Sequence, residues 1–461
     1  MATKHTYSFL RNFLSGEAHF GFWGVVSKGV GLANTFLVIS ALSLYQYGVF
    51  QLLLSLYAIV SSALSIGGGV VANDIQRFAG EGDEPKAKRL FFEYHGVRVL
   101  GGILVSLLLF FGSGIFATKY SPEVIQFVKL LAPLLMLEIV FSVLKSLLIL
   151  RLRFGLVASR SSIYKFVQLA VILFYFFSST LSVKEVLFSM ILGSLLSSLL
   201  MLAPAWHSYR ETWKGTAAAS PSLLLWVFSH HGKWEVLWQF ASKATASFQP
   251  WLIKLFVGTE AVAIYTVAQT MITTVIGFFP TNTLKTLVPL EVGNPDRLKR
   301  LYHLGSKYLF FLSVIFAVGA AVSGPLFIEL FFPKYIPSLI YFYSLLPYIP
   351  ITALSAVASI FLVVMRMQKY LFYQKILKGL TVVPLLVLLS FSGLWGLVVY
   401  QLVFSFLLFV TIYNFLRRVP PHFKIVWRDL FRFGPEDREF VSRVWREITR
   451  FFSVKLSRFS S

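Results

Sequence analysis

Apolar stretches of about 20 residues or more, long enough to cross a bilayer, recur along most of the chain between short polar segments. They predict twelve spans, near 20–43, 48–72, 96–117, 124–150, 161–180, 184–206, 234–257, 262–284, 307–331, 338–365, 372–391 and 394–416. Beyond the last span, residues 417–461 carry eleven Lys and Arg against five acids. Phe440, Val444, Ile448 and Phe451 recur there at helical spacing, which predicts a basic amphipathic helix lying on anionic cytoplasmic lipid.

The polar segments alternate in charge. One set holds Lys4, Arg11, Arg77, Lys86, Lys88, Arg89, Arg151, Arg153, Arg160, Arg210 and Lys214, then Lys285, Arg297, Lys299, Arg300, Arg366 and Lys369. The other holds only Lys119, Lys184 and Lys334. The positive-inside rule places the first set, and both termini, in the cytoplasm. The outer segments 43–47, 118–123, 258–261 and 391–393 are too short to hold an external domain. Residues 1–16 are polar and mixed, so no cleavable signal peptide is expected.

Composition narrows the class. The 461 residues are 57% hydrophobic and 13% charged, with mean hydropathy +0.73, where soluble domains carry about 25% charged residues. An all-α polytopic membrane protein is expected. The net charge of +22 sits in the loops and gives no reason to invoke nucleic acid. The absence of cysteine excludes disulfides, thiol catalysis and cysteine-ligated metals. His230-His231 has no third ligand nearby, so neither a metal site nor any other cofactor is expected.

The chain also repeats itself. Ser27-Lys28 in the first span and Ser242-Lys243 in the seventh are 215 residues apart. At the same offset Tyr47-Gly48-Val49-Phe50 matches Val262-Ala263-Ile264-Tyr265, Lys119-Tyr120-Ser121-Pro122 matches Lys334-Tyr335-Ile336-Pro337, and Arg151 matches Arg366. The loops 82–90 and 293–301 match at an offset of 211. Six spans per half means that both halves enter the membrane in the same orientation. That predicts two parallel six-helix lobes, 1–206 and 234–416, around a central cavity. A cytoplasmic linker at 207–233 joins them, and 417–461 forms the tail.

A charge at membrane depth costs roughly 2.5–3.5 kcal/mol on the insertion scale and marks a candidate site. Lys28 shares a small polar face with Gly24, Gly31, Asn34 and Thr35. On the seventh span Glu235, Gln239, Ser242, Ala246 and Gln249 form a polar stripe beside Lys243. Thr266, Gln269, Thr270 and Thr273 continue it on the eighth span, and Gln51, Ser55, Ser62 and Ser65 do so on the second. Lys28, Asn34, Glu235, Gln239, Lys243 and Gln249 are therefore candidate substrate-binding residues, the two ammonium groups drawing an anionic head group inward. The competing reading has each lysine snorkel to the surface or pair with Glu235. Glu138 is a candidate ion-coupling residue, or else pairs structurally with Lys145 or a neighbouring helix. Lys129, Lys254 and Glu329 lie where snorkelling is easy. Gly67-Gly68-Gly69 lacks the following Gly-Lys-Ser/Thr of a phosphate loop and reads as close helix packing. Pro133, Pro250, Pro347, Pro350 and Pro384 are expected to kink their spans.

Several stretches resemble the multidrug/oligosaccharidyl-lipid/polysaccharide (MOP) flippase superfamily, and within it the Wzx-type polysaccharide-repeat-unit flippases. They are 44–50, 258–265, Phe331-Phe332-Pro333-Lys334-Tyr335 and Gly393-Leu394-Trp395-Gly396. The resemblance covers roughly 8–416. It implies about twelve helices in a MATE-like two-lobed arrangement in the bacterial inner membrane. It also implies movement of a polyprenyl-pyrophosphate-linked oligosaccharide, such as an O-antigen unit, to the outer leaflet, by a monomer with polysaccharide polymerase machinery as a partner. It fixes no binding residue. A drug/cation antiporter of the same superfamily would favour carboxylates in the lobes. A membrane glycan polymerase or ligase would need substantial outer loops. No nucleotide motif is present, so an ion gradient, the membrane potential or substrate flux must drive transport.

Overall fold

The computed structural model describes residues 23–114 except 25, 122–219 except 152, 221–229, 247–279, 295–365 and 380–418, with isolated positions such as 281, 370 and 422–425. Helix accounts for nearly all of it, and no strand occurs among the described residues. The helices are α1 (Val26–Ala41), α2 (Leu44–Leu64), α3 (Gly68–Gly80), α4 (Glu84–Phe111), α5 (Pro122–Leu150), α6 (Phe154–Phe177) and α7 (Val183–Trp213). Then follow α8 (Leu224–Val227), α9 (Thr259–Gly277), α10 (Pro295–Phe331), α11 (Ser338–Leu345), α12 (Tyr348–Val364), α13 (Val382–Ser392) and α14 (Leu394–Arg418). Among the described residues eight are long and apolar enough to span a membrane, and α11 with α12 makes a ninth. Each of the twelve expected spans holds helix over at least part of its length, the seventh at 247–256.

The lipid-facing side is explicit on α4. Val97, Leu100, Leu104, Leu107, Leu108 and Phe111 are all exposed and recur every three or four residues. A continuous apolar seam of that length is untenable in water and correct in hydrocarbon. The protein is an all-α polytopic membrane protein.

The expected second span, 48–72, is divided. Gly67 adopts φ +73°, a left-handed conformation that ends α2 and starts α3 at Gly68. Val70-Val71-Ala72 keep the stretch apolar just beyond the turn, so the expected span runs across it. A side chain at Gly67 would strike the Phe228 ring, and one at Gly68 would meet the Tyr94 hydroxyl. The triplet is therefore a packing device, as expected. The tenth span is broken too, between α11 and α12 at Leu346-Pro347, where proline removes a backbone donor.

Caps explain the tight turns at one end. Ser43 and Gln46 form a reciprocal capping box at the start of α2, and Ser182 and Glu185 do so on α7. Those two starts meet Glu123 of α5 around a shared cavity. The cation-rich segments share the other end. Lys88 Nζ donates to the Thr216 carbonyl (2.7 Å), and Arg153 pairs with Glu211 (3.1 Å). Glu93 accepts from the backbone N–H groups of Leu223 and Leu224 (2.9 Å each), fixing the start of α8. The stretch 207–233 is thus helical to a fully buried Trp213, and beyond it Ala219 N–H donates to the Pro85 carbonyl (3.1 Å).

Backbone proximity divides the chain into two compact units. The first comprises Met1–Thr274, Gly319–Leu346 and Phe372–Phe404; the second, Val275–Val318, Pro347–Leu371 and Ser405–Ser461. In the second, Tyr302 packs edge-on to Phe361 (5.0 Å) and against Phe423 (5.2 Å), all three buried. The first has two apolar clusters. One, around Leu90, Phe91, Leu148 and Trp213, lies at the cation-rich end. The other joins Val38, Leu42, Tyr47 and Leu131 to Ala263, Val267 and Tyr335, so matched segments of the repeat pack together. Tyr47 meets Tyr335 edge to face at 5.9 Å. Lys334 Nζ donates to the Ser40 carbonyl at 2.7 Å, a cation placed on the negative end of α1. Gly48 lies directly against the Thr259 backbone carbonyl, where a methyl group would overlap it.

Because that obstacle is backbone, Gly48→Ala is expected to destabilise the protein by about 1–3 kcal/mol, measured as a lower Tm in detergent. Gly96→Ala, at a position with open space, should leave Tm unchanged or raised.

Candidate functional site

Four hydrogen bonds join α1, and Trp23 just before it, to α6. Ser162 Oγ donates to the Trp23 carbonyl (3.0 Å), and Ser27 Oγ and Ser161 Oγ are 2.8 Å apart. Asn34 Nδ2 donates to the Lys165 carbonyl (3.0 Å) and to Gln168 Oε1 (3.3 Å). Buried polar groups must find partners in the membrane interior, so these positions fix the rotation of α1. That rotation brings Gly31 against the Lys165 ammonium, where any side chain would collide with it.

The result is a cavity of about 310 Å³ bounded by α1, α2, α6, α7 and α9. Its polar lining is Asn34, Thr35, Tyr47, Gln51, Tyr164, Lys165, Gln168 and Thr270, and none of its lining residues is acidic. Tyr47 bonds to both Gln51 and Thr270. Asn34 is 5% exposed and its Oδ1 has no partner, leaving a buried acceptor at the cavity wall. The cavity thus offers one ammonium group, several amide and hydroxyl groups, and apolar walls from Val38, Phe50, Leu54 and Met190. It suits a ligand with an anionic and hydroxylated part.

Of the residues singled out in the sequence, Asn34, Thr35, Gln51 and Thr270 come together here. Ser27 is buried in the α1–α6 seam, whereas Lys28, one position on, is exposed and is not a lining residue. Gln249 is half-buried on the helical stretch 247–256. Glu235, Gln239, Ser242 and Lys243 fall outside the described residues.

Glu138 pairs neither with Lys145 nor with solvent alone. Arg160 Nη2 lies 3.0 Å from its carboxylate and 3.3 Å from Ser194 Oγ, and the guanidinium stacks 3.8 Å over the Phe141 ring. Arg160, counted among loop cations, is an interior residue of α6.

The cavity lysine, Lys165, was missed. It sits near the start of the expected span 161–180, where a lysine is easily assigned to snorkelling. The available signal was Ser161, Tyr164, Lys165 and Gln168 at i, i+3, i+4 and i+7, one polar face matching that of the first span.

The fold can be compared with solved structures. An inward-facing multidrug-resistance MATE family transporter of the MOP superfamily superposes with TM-score 0.69 over 85% of this chain and 94% of its own, at 13% identity. The fold is that of the MATE transporters. A MOP superfamily transporter from Pyrococcus furiosus gives TM-score 0.61 at 13% identity, covering 88% and 94%. A Vibrio cholerae MATE transporter mutant gives 0.59 at 14%, covering 91% and 99%. No protein-family model matches the chain, and no curated protein matches it in sequence. The MATE fold accommodates the expected all-α architecture, and in this chain it carries a lysine and a paired Arg160–Glu138 inside the first unit.

Glu138→Gln leaves Arg160 without its counter-charge in a low-dielectric site, and is expected to cost about 1–3 kcal/mol, measured as a lower Tm.

Proposed function

We propose that this protein is a transporter of the MOP superfamily. Its substrate is a polyprenyl-pyrophosphate-linked oligosaccharide, moved from the cytoplasmic to the outer leaflet by alternating access. The observation that carries the reading is the carboxylate-free cavity holding Lys165. A lysine ammonium with adjacent amide and hydroxyl groups suits a pyrophosphate and a sugar. The acid within reach of a drug/cation mechanism, Glu138, is committed to Arg160. The Pyrococcus furiosus neighbour is described as having a binding pocket of reverse polarity that suggests a different function. A change of pocket charge within this fold is therefore a reasonable route to a different substrate.

In this reading Lys165 receives the head group, while Lys28 and Lys243, with Asn34, Glu235, Gln239 and Gln249, extend the binding region. The cation-rich loops face the cytoplasm of a bacterial cell, where they and the basic tail contact anionic lipid. Polysaccharide polymerase machinery then takes up the product. The drug/cation antiporter is the second reading, favoured by the MATE neighbours themselves.

The test is transport by the purified protein in proteoliposomes. A fluorescent polyprenyl-pyrophosphate oligosaccharide should appear in the opposite leaflet, and Lys165→Gln should slow it at least tenfold, the worth of one charged hydrogen bond, without loss of membrane insertion. Lys28→Gln combined with Lys243→Gln should abolish it. Unchanged flipping in Lys165→Gln, or gradient-driven efflux of a cationic dye in place of flipping, would refute the proposal.

A further inference from the structure

A second polar cavity lies within the first unit, between the end of α2, the start of α3, and α4 and α5. Its volume is about 430 Å³, within the range of small-ligand sites. It shares no lining residue with the Lys165 cavity.

Its charge is one-signed. Arg98 and Lys145 line it, and none of its lining residues is acidic. Arg98 is held rigidly: Nε donates to the Leu64 carbonyl at the end of α2 (2.9 Å), Nη1 donates to Ser142 Oγ, and the guanidinium lies 5.5 Å over the Tyr94 ring. Those bonds leave Nη2 as a further donor. Lys145 is an exposed lining residue.

The helix start adds to this field. The left-handed Gly67 turns the chain so that the positive end of the 13-residue α3 faces the cavity, and no side chain caps it. Two buried side chains are left without a partner at the same place. Tyr94 is 6% exposed and its hydroxyl, beside Gly68, bonds to nothing; His95 is 5% exposed, with Nε2 bonded to Ser146 Oγ (3.1 Å) and Nδ1 unpartnered. Unpaired buried polar atoms are costly in a membrane protein. Both residues line the cavity that also holds the two cations and the start of α3.

We propose that this basin binds a phosphate group carried by a lipid, held by Arg98, Lys145, the Tyr94 hydroxyl and the start of α3. The glycine triplet serves it without being a nucleotide loop: it permits the turn and lets Tyr94 approach Gly68. The assignment is independent of what the transporter moves, because the ligand class is read from this basin alone.

The whole protein in maltoside detergent would be titrated with phosphatidylglycerol, polyprenyl phosphate, diacylglycerol as the phosphate-free control, and inorganic phosphate, with adducts counted by native mass spectrometry. A phosphate-bearing species is expected to bind at one saturable site that diacylglycerol does not occupy. Lys145→Gln, at an exposed position, should weaken it about tenfold, and Tyr94→Phe, which keeps the ring and removes only the hydroxyl, severalfold. Saturation by inorganic phosphate alone would identify the anion as sufficient, and binding only of the lipids would identify the carrier as necessary; either supports the site when Lys145→Gln weakens it. Equal affinities for wild type, Lys145→Gln and Tyr94→Phe, or no phosphate-dependent adduct, would overturn the proposal.

Discussion

The seam between α1 and α6 is the contact on which the interior of the first unit depends. In hydrocarbon a side-chain amide has no solvent to fall back on, so Asn34 is satisfied by a backbone carbonyl and a glutamine of the neighbouring helix. With the serine pair one end of the seam down, α1 cannot rotate without orphaning several groups. Everything on the cavity side follows: Gly31 must be small because the Lys165 ammonium lies there, and Asn34 Oδ1 is left buried without a partner. The same hydrogen bonds therefore secure the packing and set the character of the cavity.

The two ends of the bundle are built by different means. At the cation-rich end, charged side chains serve as caps: Lys88 on the carbonyls ending α7, Glu93 on the amides starting α8, Arg153 on Glu211. At the other end the Ser43–Gln46 and Ser182–Glu185 capping boxes are joined by close approach and aromatic contact, with Gly48 against Thr259 and Tyr47 against Tyr335. Lys334 adds a cation there, its ammonium donating to the Ser40 carbonyl.

Much of the architecture was legible in the sequence, since a span is a length of apolar chain and twelve such lengths are plain. The polar face of the first span was legible too, because small and amide-bearing residues at helical spacing have few uses in lipid. What stayed hidden depended on where a residue sits along its helix and on what faces it. Lys165 and Arg160 look like ordinary cations at the mouth of a span, and only the packing shows one in a cavity and the other over a ring and a carboxylate. Arg98 is of the same kind. The Gly67 break was hidden because Val70-Val71-Ala72 carry the apolar stretch past it; its signal was conformational, a glycine free to take positive φ. Lys28 shows the converse: adjacent to a buried serine, it is carried out of the seam by a rotation of 100° per residue.

The Arg160–Glu138 pair also bears on how the chain enters the membrane. Among α2, α4, α5, α6 and α7, helix α6 is the least apolar, and Arg160 and Lys165 add to the cost of placing it alone in lipid. Its partner carboxylate lies on α5, the helix made just before it. Inserting the two as a hairpin lets the arginine meet its counter-ion as it leaves the translocon. The pair thus offsets part of the cost of holding the sixth helix, and the cavity lysine on it, in lipid.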